Sequence, residues 1–135
     1  NLKGVIISPA AASSSQFTFV DFSGADLTGI EFTELTLGGC KFNGANLKNI
    51  SVSNVTFLLC EFDDVTDMSG SKFISVAYHD VSFRNAKMID AYFESLLFID
   101  VNFSNADLKG TTFSGELLTF GHNVFSCKNN QICDE

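Results

Sequence analysis

An apolar residue recurs at every fifth position along most of this chain, and few folds can accommodate such a period. Counting by fives from Leu2, the centres are Leu2, Ile7, Ala12, Phe17, Phe22, Leu27, Phe32, Leu37, Phe42, Leu47, Val52, Phe57 and Phe62. One extra residue then enters, and the series resumes at Met68, Phe73, Tyr78, Phe83, Met88, Phe93, Phe98, Phe103, Leu108, Phe113 and Leu118. All 24 positions are apolar, and they take up twelve of the fifteen Phe. A second column of smaller residues sits two places before each centre, as at Val20, Ala25, Ile30, Leu35, Cys40 and Ala45, and after the slip at Thr66, Ser71, Val76 and Val81. The other three places in each five are mostly Gly, Asn, Asp, Ser, Thr and Lys. Two inward and three outward residues per five fit neither the helical period of 3.6 nor strand alternation. The pattern is that of a chain turning a corner every five residues.

The segments GADLTG at 24–29, GANLKN at 44–49 and NADLKG at 105–110 share the form A-(D/N)-L-x-x. In this the chain resembles the pentapeptide-repeat family over residues 1–118. The resemblance implies an all-β fold, a right-handed parallel quadrilateral β-helix with four pentapeptides per coil. A second period supports the four. Taking every fourth centre groups Phe22, Phe42, Phe62, Phe83 and Phe103 on one face, following Leu2. The next face holds Ile7, Leu27, Leu47, Met68, Met88 and Leu108. The third holds Ala12, Phe32, Val52, Phe73, Phe93 and Phe113, and the fourth Phe17, Leu37, Phe57, Tyr78, Phe98 and Leu118. Aromatic residues thus stack on aromatic and aliphatic on aliphatic, which predicts about six coils with every centre buried. The extra residue at 63–67 is expected as a bulge at a corner. The stretch SPAAASSSQ at 8–16 fits the period poorly and is expected to distort the first coil.

Residues 119–135 leave the period and carry Phe120, Val124, Phe125 and Ile132, the composition of a C-terminal cap that covers the last coil. The pattern is already in progress at Asn1, which reads as a fragment of a longer chain. Eight Lys and Arg stand against sixteen Asp and Glu, a net charge of −8. That balance argues against direct nucleic-acid binding, because too few cations are present to release phosphate counterions. No run approaches the ~18 apolar residues of a membrane span.

The chemistry-bearing residues are sparse. Cys40 and Cys60 fall in neighbouring coils of one column and are expected as reduced, Val-sized fillers. Cys127 and Cys133 form C-x5-C in the cap, and the sequence leaves open whether they are bridged. His79 and His122 are not paired by the repeat, and no Ser, His and acid fall together. The acidic cluster Glu61, Asp63, Asp64 and Asp67 reads as a solvated face, and neither a metal nor a cofactor is expected. The sequons at Asn49, Asn54 and Asn102 follow from the repeat's own use of Asn and Ser. Asp90, at an outward corner, is expected to tolerate Ala at little cost.

One feature breaks the outward polarity. The fourth face carries Phe19, Leu58, Leu59, Leu97 and Ile99 at outward places, with His79 between Leu58 and Ile99, while Ile74 and Tyr92 lie on the third face. These eight residues are the candidate surface for a protein partner or an adjoining domain. The sequence therefore predicts a non-catalytic interaction or scaffold module, such as the repeat portion of a bacterial effector. The alternative, which rests on the resemblance to acidic dimeric members of the family, is a DNA mimic that binds a topoisomerase such as DNA gyrase.

Overall fold

The computed structural model describes residues 6–7 and 15–133, and these form a parallel β-solenoid. Ten strands follow in chain order: β1 (Ile6–Ile7), β2 (Ser15–Thr18), β3 (Glu31–Thr33), β4 (Leu35–Gly38) and β5 (Ser51–Ser53), then β6 (Thr56–Leu58), β7 (Lys72–Ile74), β8 (Ala77–His79), β9 (Tyr92–Ile99) and β10 (Thr112–Phe120). Every pairing is parallel, in the order β1-β3-β5-β7-β9-β8-β6-β4-β2, with β10 on β9. The odd strands up to β7 build the third wall and the even strands up to β8 build the fourth. β9 runs through the corner and joins the two walls into one folded sheet. The described residues make about five coils, close to the number expected.

The first two walls are built differently, and the A-(D/N)-L motif shows why. They hold isolated parallel bridges such as Asp21↔Lys41, Asn46↔Asp67 and Lys87↔Asp107. The Asp or Asn before a centre accepts the N–H two residues on, as in Ser23 to Asp21 at 2.9 Å, Lys48 to Asn46 at 3.1 Å and Ser104 to Asn102 at 2.9 Å. The centre's carbonyl then accepts the N–H three residues on, as from Ala25 to Phe22 and from Ala45 to Phe42, both at 3.0 Å. The residue before that N–H has positive φ, which is the type II turn: Gly24 at 72° and Gly44 at 68°. Asn, Asp and Gly tolerate this left-handed region best. Asp90 lies in it at φ 58°, so its replacement by Ala carries a backbone cost the sequence did not show.

The core is one continuous column of buried side chains. Phe22, Phe42, Phe62, Phe83 and Phe103 stack along the first wall with centroids 4.7–5.1 Å apart and rings within 16° of parallel. Phe125 extends the ladder at 5.5 Å from Phe103. The small column tolerates polar atoms because a carbonyl lies within reach at each place. The single Thr66 hydroxyl hydrogen has the carbonyls of Phe42 at 2.8 Å and Asp63 at 2.7 Å within reach, and Ser71 donates to that of Leu47 at 2.7 Å. Thr111 does the same to Met88. Cys60 uses its thiol likewise, toward Leu37 O at 3.2 Å.

Three expectations need correction. Ile7 pairs with Phe32 on the third wall, not with Leu27 on the second, because the first coil is longer by a pentapeptide. Residues 8–14 of the expected irregular stretch, like Leu2 and Ala12, lie outside the described residues. Leu118 is 43% exposed and is not a centre. A second one-residue slip, at Ser114–Leu117, seats Leu118 beside Leu97 and puts Thr119 beside Phe98. Phe17, Phe22 and Phe113, at the two ends of the described core, are only partly buried.

At 63–67 the pairing shifts by one residue, from Lys41↔Glu61 to Asn46↔Asp67, with Asp64 and Val65 at φ 57° and 59°. Asp63 is buried and accepts from the Ser82 hydroxyl at 2.6 Å, the Arg84 N–H at 2.9 Å and the Arg84 guanidinium at 3.3 Å. This bulge therefore has a built interior and is not a loose loop. At the C-terminus β10 runs across residue 118, and Val124 and Lys128 still bridge to Asn102 and Asp107. The chain then folds back so that Asn130 donates to the carbonyls of Leu108 and Thr111 at 3.1 and 2.8 Å. A Cys127–Cys133 disulfide with Cα atoms 5.0 Å apart closes the return.

Candidate functional site

The strand register places the outward residues of the fourth wall in two columns. One, before the centres, is Gln16, Thr36, Thr56, Ala77, Leu97 and Leu118. The other, after them, is Thr18, Gly38, Leu58, His79, Ile99 and Phe120. No Lys, Arg, Asp or Glu stands in either. The other three walls carry the charge: Lys41 and Arg84 on the first, Lys48, Lys87, Lys109 and Lys128 on the second, Glu31, Lys72 and Glu94 on the third. Polarity also changes along the wall. Its start is Gln, Thr and Gly; from the Leu58 coil onward it is apolar apart from Thr56 and His79.

The eight candidate residues fall into three groups. Leu58, His79, Leu97 and Ile99 share the wall, with Leu58↔His79↔Ile99 in one column, and all but His79 are partly buried by their neighbours. Phe19 and Leu59 stand at the corner that follows, at φ 55° and 56°, and are 84% and 58% exposed. The Phe19 ring lies over Gly39, where a Cβ would collide with it at 2.6 Å. Ile74 and Tyr92 are on the third wall, where the Tyr92 hydroxyl donates to Glu94 at 2.7 Å. Leu118 and Phe120 belong to the patch although the period did not point to them. Phe120 is 57% exposed beside Ile99.

Carboxylates rim this patch on both sides. The Phe19–Leu59 corner continues as Asp80 and Asp100, and Asp80 pairs with His79 at 3.4 Å. On the opposite corner, Glu116 lines a shallow groove with Ser75, Ala77, Ser95, Leu97 and Leu118, and Glu94 lies just before Ser95. His79, Asp80 and Asp100 bring three ligand atoms within 4.8 Å, all of them exposed. Asp100 already accepts the His122 N–H at 2.6 Å.

The thiols are poorly suited to chemistry. Burial pushes Cys60 up to about 12 and raises Cys40 as well, so both stay protonated at physiological pH. Burial also raises the Tyr78 phenol, whose oxygen has no hydrogen-bond partner among the described residues. Among the described residues no helix is long and apolar enough to cross a membrane.

A family model described as pentapeptide repeats matches the chain in eight copies, over residues 13–49 and 79–115. No curated protein sequence matches it. Solved structures similar to it include a trypsin-treated variant of QnrB1, a plasmid-mediated fluoroquinolone resistance protein. That protein is 19% identical over 82% of this chain and 68% of its own, with a TM-score of 0.40. Rfr23 from the cyanobacterium Cyanothece 51142 is 11% identical over 90% and 88%, at 0.33. HetL from Nostoc sp. strain PCC 7120, a protein involved in heterocyst differentiation regulation, is 10% identical over 94% and 90%, at 0.26.

Proposed function

Because the chain belongs to the pentapeptide-repeat family, we propose that it works as a non-catalytic protein-interaction module and that its fourth wall is the contact surface. One observation carries this reading: on a chain of net charge −8, one wall of the described rod has no Lys, Arg, Asp or Glu and turns apolar toward its C-terminal end. Isolated exposed apolar residues are ordinary, whereas neighbours in register across several coils form a continuous patch. The catalytic requirement of a nucleophile, a base and an orienting group in mutual reach is not met by any constellation described above. The eight candidate residues are unequal in this reading. Leu58, Leu97 and Ile99 form the patch with His79 as its polar interruption, Phe19 and Leu59 border its lower corner, and Ile74 and Tyr92 face another direction.

The DNA-mimic alternative has net charge on its side and the order of charges against it. A mimic of a phosphate backbone needs unbroken runs of negative charge. The first wall reads Asp21, Lys41, Glu61, Ser82, Asn102, and the second Asp26, Asn46, Asp67, Lys87, Asp107, Lys128. Changing Leu58 and Ile99 together to Ser tests the favoured reading. The expected result is a nearly unchanged melting temperature and a partner contact weakened by more than ~1 kcal/mol. Equal recovery of partners by the native and changed proteins in parallel affinity captures refutes it.

A further inference from the structure

Building on the reading of the fourth wall as an interface, we propose that its occupant is a basic amphipathic helix of a partner protein. The helix lies along the rod axis with its apolar stripe on the wall. Size argues first. The apolar stretch covers the four coils of Leu58, His79, Ile99 and Phe120, which at a ~4.8 Å strand spacing is roughly 14 Å of height. Each strand presents about three residues, so the wall is roughly 10 Å wide. A patch of about 140 Å² falls far short of the roughly 800 Å² per partner of a stable dimer interface, which disfavours a second copy. It matches one helix, whose diameter with side chains is about 10–12 Å. A flat sheet covered by a helix is also one of the standard layered packings.

Charge argues second. Asp80 and Asp100 line one edge of the patch, and Glu116 the other. A helix with Lys or Arg on both flanks of its apolar stripe meets both edges at once, whereas an acidic partner is repelled from either side. The polar interruption is placed to suit this. His79 sits mid-patch and is already turned to Asp80 at 3.4 Å, so it asks little of the incoming apolar stripe. The helix-in-groove mode anchors residues at i, i+3 or i+4, and i+7, a span of about 10 Å that fits the height of the wall.

Three labelled helical peptides of about 14 residues test the proposal by fluorescence anisotropy against the full chain at physiological salt. The first has a Leu stripe flanked by Lys, the second the same stripe flanked by Glu, and the third Ser in place of Leu with the Lys kept. The Leu–Lys peptide is expected to bind at least tenfold tighter than both others. Leu97→Ser with Ile99→Ser should weaken it at least tenfold, and Asp80→Asn with Asp100→Asn should weaken it severalfold and flatten its salt dependence. Phe120→Ser serves as a second wall variant, because that side chain is 57% exposed and its loss leaves the core intact. If the Leu–Glu peptide binds as well as Leu–Lys, the wall remains an interface but its partner is not basic. If the Ser–Lys peptide binds as well, or no peptide binds, the interface reading fails too. A dimer in sedimentation that Leu97→Ser dissolves makes a second copy the occupant and overturns the proposal.

Discussion

Replacing Tyr78 by Phe should make this protein more stable. Tyr78 is wholly buried in the fourth-wall column, stacked on Phe57 at 5.3 Å and tilted against Phe98 at 5.5 Å. Phe83 and Phe73 meet it edge-on at 5.4 and 6.2 Å. Its hydroxyl has no hydrogen-bond partner among the described residues. Burying a hydroxyl unpaired costs about 1–3 kcal/mol. Removing the oxygen keeps all four ring contacts and leaves a void of a single atom, which costs only a few tenths of a kcal/mol. The net gain is about 1–2.5 kcal/mol, against a total stability on the order of 5–15 kcal/mol. Urea denaturation of the two proteins should show a higher midpoint for Tyr78→Phe with an unchanged slope. The pH dependence adds a second check. Burial holds the Tyr78 phenol well above 10, so the native state keeps its proton where the unfolded state begins to lose it. The gap should therefore stay constant below about pH 10 and widen above it in favour of Phe. An unchanged or lower midpoint refutes the reasoning, because it means that the hydroxyl is satisfied.

Phe62→Ala should cost about 3–5 kcal/mol, since Phe62 stacks between Phe42 at 4.7 Å and Phe83 at 5.0 Å, whereas the exposed Lys48→Ala should stay within about 0.5 kcal/mol; equal denaturation midpoints contradict the register. Cys40 and Cys60 should resist alkylation at pH 8.5 until the protein is unfolded, as read by mass spectrometry. Because the Cys60 thiol is raised to about 12, its contribution to stability should fade between about pH 9 and 12. Replacing Cys127 and Cys133 by Ser opens a loop of about seven residues, worth roughly 2 kcal/mol in the loop-entropy account. The loss should appear in hydrogen exchange as faster opening of the Leu108 and Phe103 amides, which donate to Lys128 and Val124, with the middle coils unaffected.

Most of the fold was legible because its signal is redundant: a core column such as Phe42, Phe62, Phe83 and Phe103 repeats one demand in every coil. Where the demand is stated once, reading failed. At Leu117–Leu118 two adjacent apolar residues each suit a centre, and only the pairing of Leu118 with Leu97 shows that the slip at Gly115–Glu116 has moved the register. Ile7 was misplaced for a related reason, since the irregular segment after it has no period to count by. Phe125 falls two residues late for the first-wall ladder, so its place above Phe103 could be seen only in space. The outward positions of the candidate surface follow directly where flanking centres fix them, as at Leu58 and Ile99. Its upper edge at Phe120 lies beyond the second slip. The acidic rim was hidden altogether, because Asp80 and Asp100 are conventional corner residues until the coils stack them.

The spacing of the paired strands also sets how such a rod can form. Glu31 meets Ser51 and Tyr92 meets Thr112, each twenty residues on, and pairs that span the slip are only one residue further apart. Apart from the first coil, which is five residues longer, each added coil therefore closes a loop of nearly the same length, at an entropic cost of about 2.7 kcal/mol in its length-dependent part. Among the described residues no pairing waits for the two ends of the chain to meet, as it must in a closed barrel. Assembly can begin among the aromatic coils between Phe42 and Phe103 and spread toward both ends, one coil at a time. The last coils to join are then the first to leave, and a disulfide at residues 127 and 133 acts as a latch on the end where unzipping would otherwise start.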